Sequence, residues 1–363
     1  MNRKRVLIAG GYGTVSSVVS EHLAKDENIL PVIAGRNKKK AAELAKLLDA
    51  EYRTIDVTDK QGMTTVLEDI AIVINCFSGP FTNFPIDFPM LAAQKGVHYL
   101  DVAGSYEYAE RFLTLNELAM KNKATLITAL GANPGIPGIV LMKEGTEFDK
   151  LESGKLYFVL GARFDGVSVS SLKELNHMFN VKPLIWDKSH WVKPKISSMK
   201  EYMGEPFEKE IYLGLSLTRD LLVLPELTSI DNLSLWSGSQ SALQGIVMIL
   251  GLKMGLSKRD STTQFLLNVL KKIGKTENSI SESLMKVELV GQKDGVRKKS
   301  IVEIYCDENY ATAIAPVLVC QQLVEGKITK YGAFVPPEIV PARNFTERLE
   351  EQEMHLSTTV KQL

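Results

Sequence analysis

Apolar and polar positions follow two rhythms along the first part of the chain. Residues 5–9 (RVLIA) form a short apolar run that stops at Gly10 and Gly11. Helical spacing follows, with Val18, Val19 and Leu23 on one side. Residues 29–35 (ILPVIAG) are again continuously apolar. Behind them, Ala41, Leu44, Ala45 and Leu48 recur at i, i+3, i+4 and i+7, one face of a helix. The exchange repeats through YRTIDV, TTVLED, IAIVINCF, FPMLAAQKG, VHYLDVAG, EYAERFLTLNELAMKN (one long helix) and ATLITAL, which ends at Leu130. Six β segments alternating with helices predict an α/β fold built on a doubly wound parallel sheet. Nearly unbroken apolar strands suit a sheet covered on both faces.

The rhythm changes after GANPGIPGIV (131–140). Residues 153–164 and 208–218 read as longer strands, and 239–253 and 260–273 as helices. The stretch 285–305 reads as a β-hairpin turning at Asp294-Gly295. These elements predict a second, α+β domain with a mixed or antiparallel sheet. ATAIAPVLVCQQLVEGKI (311–328) then reads as a helix, FVPPE as a turn, and NFTERLEEQEMHL as a solvated terminal helix.

Composition narrows the classes. A chain of 363 residues exceeds one small core, so two domains are expected. Lys+Arg and Asp+Glu are equal at 43 each, which leaves no overall field to attract nucleic acid or an anionic membrane. Cys76, Cys306 and Cys320 are far apart, without CxxC or zinc spacing, so no metal site is expected. They suit a reducing compartment without disulfides. MNRKR precedes only five apolar residues, too few for a signal-peptide core or a membrane helix. A cytoplasmic protein is expected.

The candidate chemistry begins with GGYGTVS. A glycine loop between a strand and a helix cradles a pyrophosphate, because glycine permits the tight turn and the helix N-terminus supplies donors. The residues so placed are Gly10, Gly11, Tyr12, Gly13, Thr14 and Val15. Ser16 stands where a third glycine is usual; it adds only a hydroxymethyl group and is expected to be tolerated. At the end of the second strand, NAD sites usually carry an acid for the ribose 2′-hydroxyl. This chain has Arg36, then Asn37 and Lys38. A guanidinium suits a 2′-phosphate, and cations are otherwise unfavourable at a helix N-terminus, so NADP is expected rather than NAD. Asp56 and Val57, at the end of the third strand, are candidates for the adenine, with Asp56 or Thr58 as a helix cap the alternative. Cys76, Phe77, Ser78 and Gly79 end the fourth strand and are expected beside the nicotinamide.

The order VLIAGGYGTVS, AGR, DVTD, NCFSGPF, GVHYLDVAG and GANPGIPGI resembles the saccharopine dehydrogenase (saccharopine reductase) family, and YATAIAPVLVCQQLVEGKITKYGAFVPPE resembles its closing helix and turn. The resemblance implies a Rossmann domain over 1–132, an α+β substrate and dimerisation domain over 133–310, and a segment over 311–363 returning to the first domain. It implies a homodimer and an oxidoreductase acting on a C–N bond of a small amino-acid-like substrate, by reducing an imine formed from an amine and a carbonyl compound, or the reverse. Similar members commonly carry an acid within the segment GANPG, where this chain has Asn133.

Imine reduction also needs a proton donor to nitrogen. Asp101, ending the fifth strand, is the best-placed carboxylate, with a loop anchor as the alternative. His98 belongs at that strand's start, away from the ligand edge. His177 could enter the cleft from the second domain, or simply be packed or exposed. Arg163 could pair with a substrate carboxylate, and Asn133 is the other substrate-side candidate. Ser237, Ser239 and Gln240 read as capping a following apolar helix. Two other readings stay open: an amine dehydrogenase of the lysine type, and a non-catalytic NADPH-binding sensor or partner protein.

Overall fold

The computed structural model describes residues 3–56, 59–77, 85–164, 167–169, 171–173, 181–204, 207–275 and 280–363. They divide into two units, Met1–Ile136 with Asn309–Leu349, and Pro137–Glu308 with Glu350–Leu363.

In the first unit, β1 (Lys4–Ala9), β2 (Ile29–Gly35), β3 (Glu51–Thr54), β4 (Ile72–Asn75), β5 (His98–Asp101) and β6 (Thr125–Ile127) alternate with α1 (Thr14–Ala24), α2 (Lys38–Leu47), α3 (Lys60–Val66), α4 (Asp87–Gln94), α5 (Tyr106–Leu113) and α6 (Asn116–Lys121). All strand pairings are parallel. The sheet order is β15-β6-β5-β4-β1-β2-β3, in which β15 is Gly332–Phe334. The chain therefore builds outward from β1 through β2 and β3, then crosses back to lay β4 on the other side of β1. That reversal lies between β1 and β4, where open α/β sheets bind ligands at their carboxyl ends. In register, Ala9 faces Asn75 and Asn75 faces Asp101 across that edge. Strands buried on both faces explain the unbroken apolar runs: Val6, Leu7, Ile8 and Ala9 are wholly buried. On one side, Leu7, Val73, Tyr99 and Leu126 share a core with Phe88 and Phe112, and the Tyr99 and Phe88 rings meet edge to face at 5.6 Å.

The second unit carries a mixed sheet of nine strands. Its main order is β10-β11-β12-β7-β13-β14-β16, with β7 (Lys150–Leu160), β10 (Ser198–Met203), β11 (Lys209–Ser216), β12 (Asn232–Ser239), β13 (Ser283–Lys293), β14 (Val296–Cys306) and β16 (His355–Gln362). A hairpin of β8 (Ile185–Asp187) and β9 (His190–Val192) joins at β12. The expected turn is present: Lys293 pairs with Val296, and Asp294 and Gly295 take φ of 52° and 73°. Two positive φ values in a two-residue loop match the right-handed twist of the strands. The helices Ala242–Lys253 and Asp260–Gly274 lie where expected.

Four sequence expectations change. The single long helix over 107–122 is two, because the Thr114 hydroxyl donates to the Arg111 carbonyl at 2.6 Å and ends α5. The tail forms a seventh strand, β15, and Pro336–Glu338 is a short 3-10 turn. The terminal helix is not a solvated one: Ala342–Glu350 buries Phe345 and Leu349 completely. The chain after Leu349 does not rejoin the first unit, because residues 355–362 pair with β14 instead. The units divide at 136/137 and 308/309, beside the expected 132/133 and 310/311. Among the described residues no helix is long and apolar enough to cross a membrane.

Candidate functional site

The glycine loop sits at the reversal point of the first sheet. Gly10 takes φ of +80°, and a Cβ there would lie 3.4 Å from the backbone of Cys76 and Phe77. Gly11 is closer still, with a Cβ position 2.8 Å from both Ile33 Cγ2 and the Ile8 carbonyl oxygen. Only glycine lets the β1 turn press onto β2 and β4 in this way. The Gly11 N–H then donates to the Ala34 carbonyl at 2.9 Å, tying the loop to β2.

Gly13 is the N-cap of α1 and contributes no side-chain acceptor. The first turn of α1 holds no acidic residue. The leading N–H groups, at Thr14 and Val15, therefore keep their hydrogen-bonding capacity and the positive end of the helix dipole. This donor set fits a pyrophosphate. Ser16 does more than the sequence reading assigned to it. Its hydroxyl donates to the Gly10 carbonyl and accepts from the Gly13 N–H at 2.9 Å, so it knits the loop together. Tyr12 reaches the other way, accepting from the Asn37 N–H at 2.9 Å.

At the end of β2, Arg36, Asn37, Lys38, Lys39 and Lys40 are all exposed. Asn37 caps α2, its Oδ1 accepting from Lys40 N at 3.1 Å. Lys39 approaches Glu43 at 4.0 Å, while Arg36, Lys38 and Lys40 have no acidic partner among the described residues. Asp56 is exposed at the end of β3, and the cap of α3 is Asp59, whose Oδ1 accepts from Gln61 N at 3.0 Å. Val57, Thr58, Ser78, Gly79 and His177 lie outside the described residues.

Cys76 and Phe77 follow β4 directly against Gly10. Burial, with Asp101 nearby, pushes the Cys76 thiol up to about 12, so it stays protonated and is no nucleophile at neutral pH. Asn75 was not singled out from the sequence. Its Oδ1 accepts from Phe77 N at 3.2 Å, and its buried Nδ2 has no hydrogen-bond partner among the described residues. A polar residue ending an apolar strand was the available signal.

Asp101 ends β5 as expected, but it is completely buried. Its Oδ1 accepts from Thr128 Oγ1 at 2.7 Å and from Ala103 N at 3.1 Å. Its Oδ2 accepts from the Tyr108 hydroxyl at 3.0 Å. Burial raises its carboxyl to about 6 against the opposing pull of these donors. This is the loop-anchor arrangement: one carboxylate ties β5, α5 and the segment after β6. That segment continues to Asn133, half-buried, whose Nδ2 is buried without a partner among the described residues. His98 opens β5, where its Nδ1 accepts from Thr125 N at 3.0 Å, away from the carboxyl edge.

In the second unit, Arg163 is exposed just past β7. The capping serine of the helix Ala242–Lys253 is Ser241, whose hydroxyl accepts from Gln244 N at 3.3 Å; Ser237 and Ser239 belong to β12 instead. Glu308, where the chain first leaves this unit, has its carboxyl pushed up to about 7 by burial and by neighbouring Asp307. No sequence signal marks it, because a glutamate in the first turn of a helix is ordinary dipole complementation.

Residues 6–127 match the family model of the saccharopine dehydrogenase NADP binding domain. Among solved structures, the chain resembles the apo, histidine-tagged saccharopine dehydrogenase (L-Glu forming) from Saccharomyces cerevisiae, with TM-score 0.71 and 16% identity, over 99% of this chain and 100% of that one. DAP dehydrogenase of C. glutamicum in complex with DAP is similar at TM-score 0.50 and 14% identity, over 97% of this chain and 100% of that one. An engineered D-amino acid dehydrogenase bound to NADP+ gives the same values. At these identities the likeness to solved structures establishes the fold.

Two predictions follow from the edge geometry. A side chain at Gly13 would start 3.2 Å from Ser16 Oγ and fill the cradle, so Gly13→Val should abolish NADPH binding in a fluorescence titration while circular dichroism stays native. Ser16→Ala, which removes both loop contacts, should weaken NADPH and NADH alike by about 2- to 10-fold. Normal affinity in Gly13→Val would move the site elsewhere.

The second concerns Asp101, whose folded carboxyl lies at about 6 against an ordinary 3.8. The native state therefore binds more protons than the unfolded chain between these values, and stability falls as pH rises through them. The full cost is about 3 kcal/mol. Asp101→Asn cannot ionise, so its stability relative to wild type should improve by up to that amount between pH 4 and pH 7, read from urea midpoints. A difference independent of pH would show that Asp101 is not the buried titrating group.

Proposed function

We propose that this chain, whose residues 6–127 match the saccharopine dehydrogenase NADP binding domain, is an NADP(H)-dependent oxidoreductase acting on the C–N bond of an amino-acid-derived substrate. The carrying observation is the uncapped glycine turn at the sheet's reversal point, beside a cationic β2 end where an NAD site would hold an acid. A reduced nicotinamide, when bound, supplies hydride to an electrophilic carbon. The chain's residues supply the rest. The Thr14 and Val15 N–H groups hold the pyrophosphate, and Arg36 with Asn37 holds the 2′-phosphate. Asp56 and Val57 take the adenine side; Cys76, Phe77, Ser78 and Gly79 take the nicotinamide side. Asn133 and Arg163 bind the substrate, the guanidinium pairing with a carboxylate. His177 remains a candidate in the same role as the acid below.

Reduction of a C=N bond needs a proton at nitrogen, so the donor must be protonated near neutrality. The Asp101 carboxyl is raised toward that range. It is also enclosed by donors, which favours its holding the edge and keeps His177 as the other candidate for the proton.

A homodimer on the second unit accompanies this reading. The helix Ala242–Lys253 turns its polar Gln244 inward, where Nε2 donates to the carbonyls of Ala162 at 2.6 Å and Leu270 at 2.8 Å. Its aliphatic residues face outward: Leu243 and Ile246 are 55% and 56% exposed. Beside it lies an apolar groove of about 350 Å³ lined by Tyr212, Leu215, Ile246 and Ile249. A helix apolar on its outer side calls for a covering surface. The three cysteines are buried and free, in keeping with a reducing, cytoplasmic setting.

The reaction is tested by a matrix of amino acids and polyamines against oxo acids and amino-aldehydes, following loss of nicotinamide absorbance. NADPH should be consumed only when an amine and a carbonyl partner are both present. Acceptance of ammonia as the amine would favour the lysine-type amine dehydrogenase, binding without any turnover the sensor reading, and turnover with the carbonyl alone would reject C–N chemistry. With a productive pair, a loss of about a hundred-fold or more in Asp101→Asn with NADPH binding kept would assign it the proton. Unchanged turnover in Asp101→Asn would move the proton to His177.

The assembly is tested by light scattering. Wild type should run as a dimer at micromolar concentration, and Ile246→Glu as a folded monomer. A monomeric wild type would refute the interface.

A further inference from the structure

We propose that Tyr12 sets the preference for a 2′-phosphorylated cofactor, by fixing the β2–α2 turn so that Arg36, Lys38 and Lys40 converge on one anion. The inference rests on the NADP(H) reading above and assigns a positioning role inside that site.

Three contacts carry it. The Tyr12 hydroxyl accepts from the Asn37 N–H at 2.9 Å, so the glycine loop and the turn after β2 are joined by one hydrogen bond. The ring lies flush on Gly35: a Cβ there would come within 2.4 Å of Tyr12 Cε1 and 2.9 Å of Cζ and the hydroxyl oxygen. The Lys40 ammonium stands over the ring, 6.0 Å from its centroid. Tyr12 is thus held between β2 and the first turn of α2, and half-buried there.

The neighbouring charges explain what the clamp is for. Arg36, Lys38 and Lys40 fall within five residues around the start of α2, all exposed and without an acidic partner among the described residues. They repel one another and the positive end of α2. A free turn would splay them apart. Asn37 stands at the centre, its N–H spent on Tyr12 and its Oδ1 on Lys40 N at 3.1 Å, so both ends of this residue are fixed. A dianion placed among the cations relieves the repulsion; a 2′-hydroxyl does not. The preorganised turn therefore favours the phosphorylated cofactor selectively.

The test compares the affinities of NADPH and NADH by fluorescence titration in wild type, Tyr12→Phe, Gly35→Ala, Arg36→Ala and the double variant Tyr12→Phe/Arg36→Ala. Tyr12→Phe keeps the ring and loses only the hydroxyl. It should lower the NADPH-over-NADH ratio about 2- to 10-fold, mostly through NADPH. Gly35→Ala, which displaces the ring, should do the same. Arg36→Ala should lower the ratio about 10- to 100-fold. In its background Tyr12→Phe should have little further effect, because both act on one anion. A ratio unchanged in Tyr12→Phe, or equal losses for both cofactors, would overturn the role of Tyr12 while leaving the NADP(H) reading in place. A wild type that binds NADH as tightly as NADPH would overturn the NADP(H) reading itself.

Discussion

Everything at the candidate site depends on how closely the β1 turn lies against its neighbouring strands. With a Cβ excluded at Gly11 by Ile33 and the Ile8 carbonyl, and Gly10 pressed on the backbone of Cys76 and Phe77, the turn has one position available. That position aims the first N–H groups of α1 at the carboxyl edge where β1 and β4 part. Ser16 then secures the loop from within through Gly10 and Gly13. The usual third glycine serves close helix–strand packing. Here a buried serine fits the same space and adds two hydrogen bonds, so the departure from the fingerprint is a different way of holding the same turn.

The other side of the edge is organised by a carboxylate. Burying Asp101 opposes its ionisation, and the hydroxyls of Thr128 and Tyr108 with the Ala103 N–H offset that cost. The tyrosine remains a reliable donor, because burial and the adjacent carboxylate raise its own hydroxyl well above the ordinary range. Such a network is stable only when each member is satisfied. It joins β5, α5 and the backbone leading to Asn133, three segments that share no strand pairing at that point. A carboxylate used so fully is a poor proton donor, and its chemistry is better read as shape.

How much of this could be read from the sequence divides along physical lines. The first sheet was legible because its central strands β1, β2 and β4 are apolar on both faces and the helices between them show their own period. The helix break at Thr114 was not, since it turns on one side-chain hydrogen bond. The strands β8, β9 and β10 were missed because they are short and mostly polar or exposed, and β12 and β16 because their patterns gain meaning from partners far along the chain. β16 is the plainest case: HLSTTVKQ is polar, mostly exposed and defined by its pairing with β14. The glycine loop and the Arg36 turn were legible as motifs with local mechanisms. Asn75 and Glu308 were not, because an unpartnered amide or a raised carboxyl belongs to the packed state alone.

The β2–α2 turn is where local preference and the folded arrangement disagree most. A helix start favours anions, yet α2 opens with three lysines after Arg36 and has no acid in its first turn. Exposure and solvent screening make this tolerable, but neither would bring the charges together. The tyrosine in the glycine loop does. It links the segment that would hold a pyrophosphate to the segment that would hold a 2′-phosphate through a single hydroxyl. Where natural sequences break a local rule, function is the usual compensation. The conflict here is confined to the few residues a phosphorylated ribose would meet. A merely solvated helix start would have no need of a half-buried ring beneath it or of a glycine at position 35 to make room for that ring.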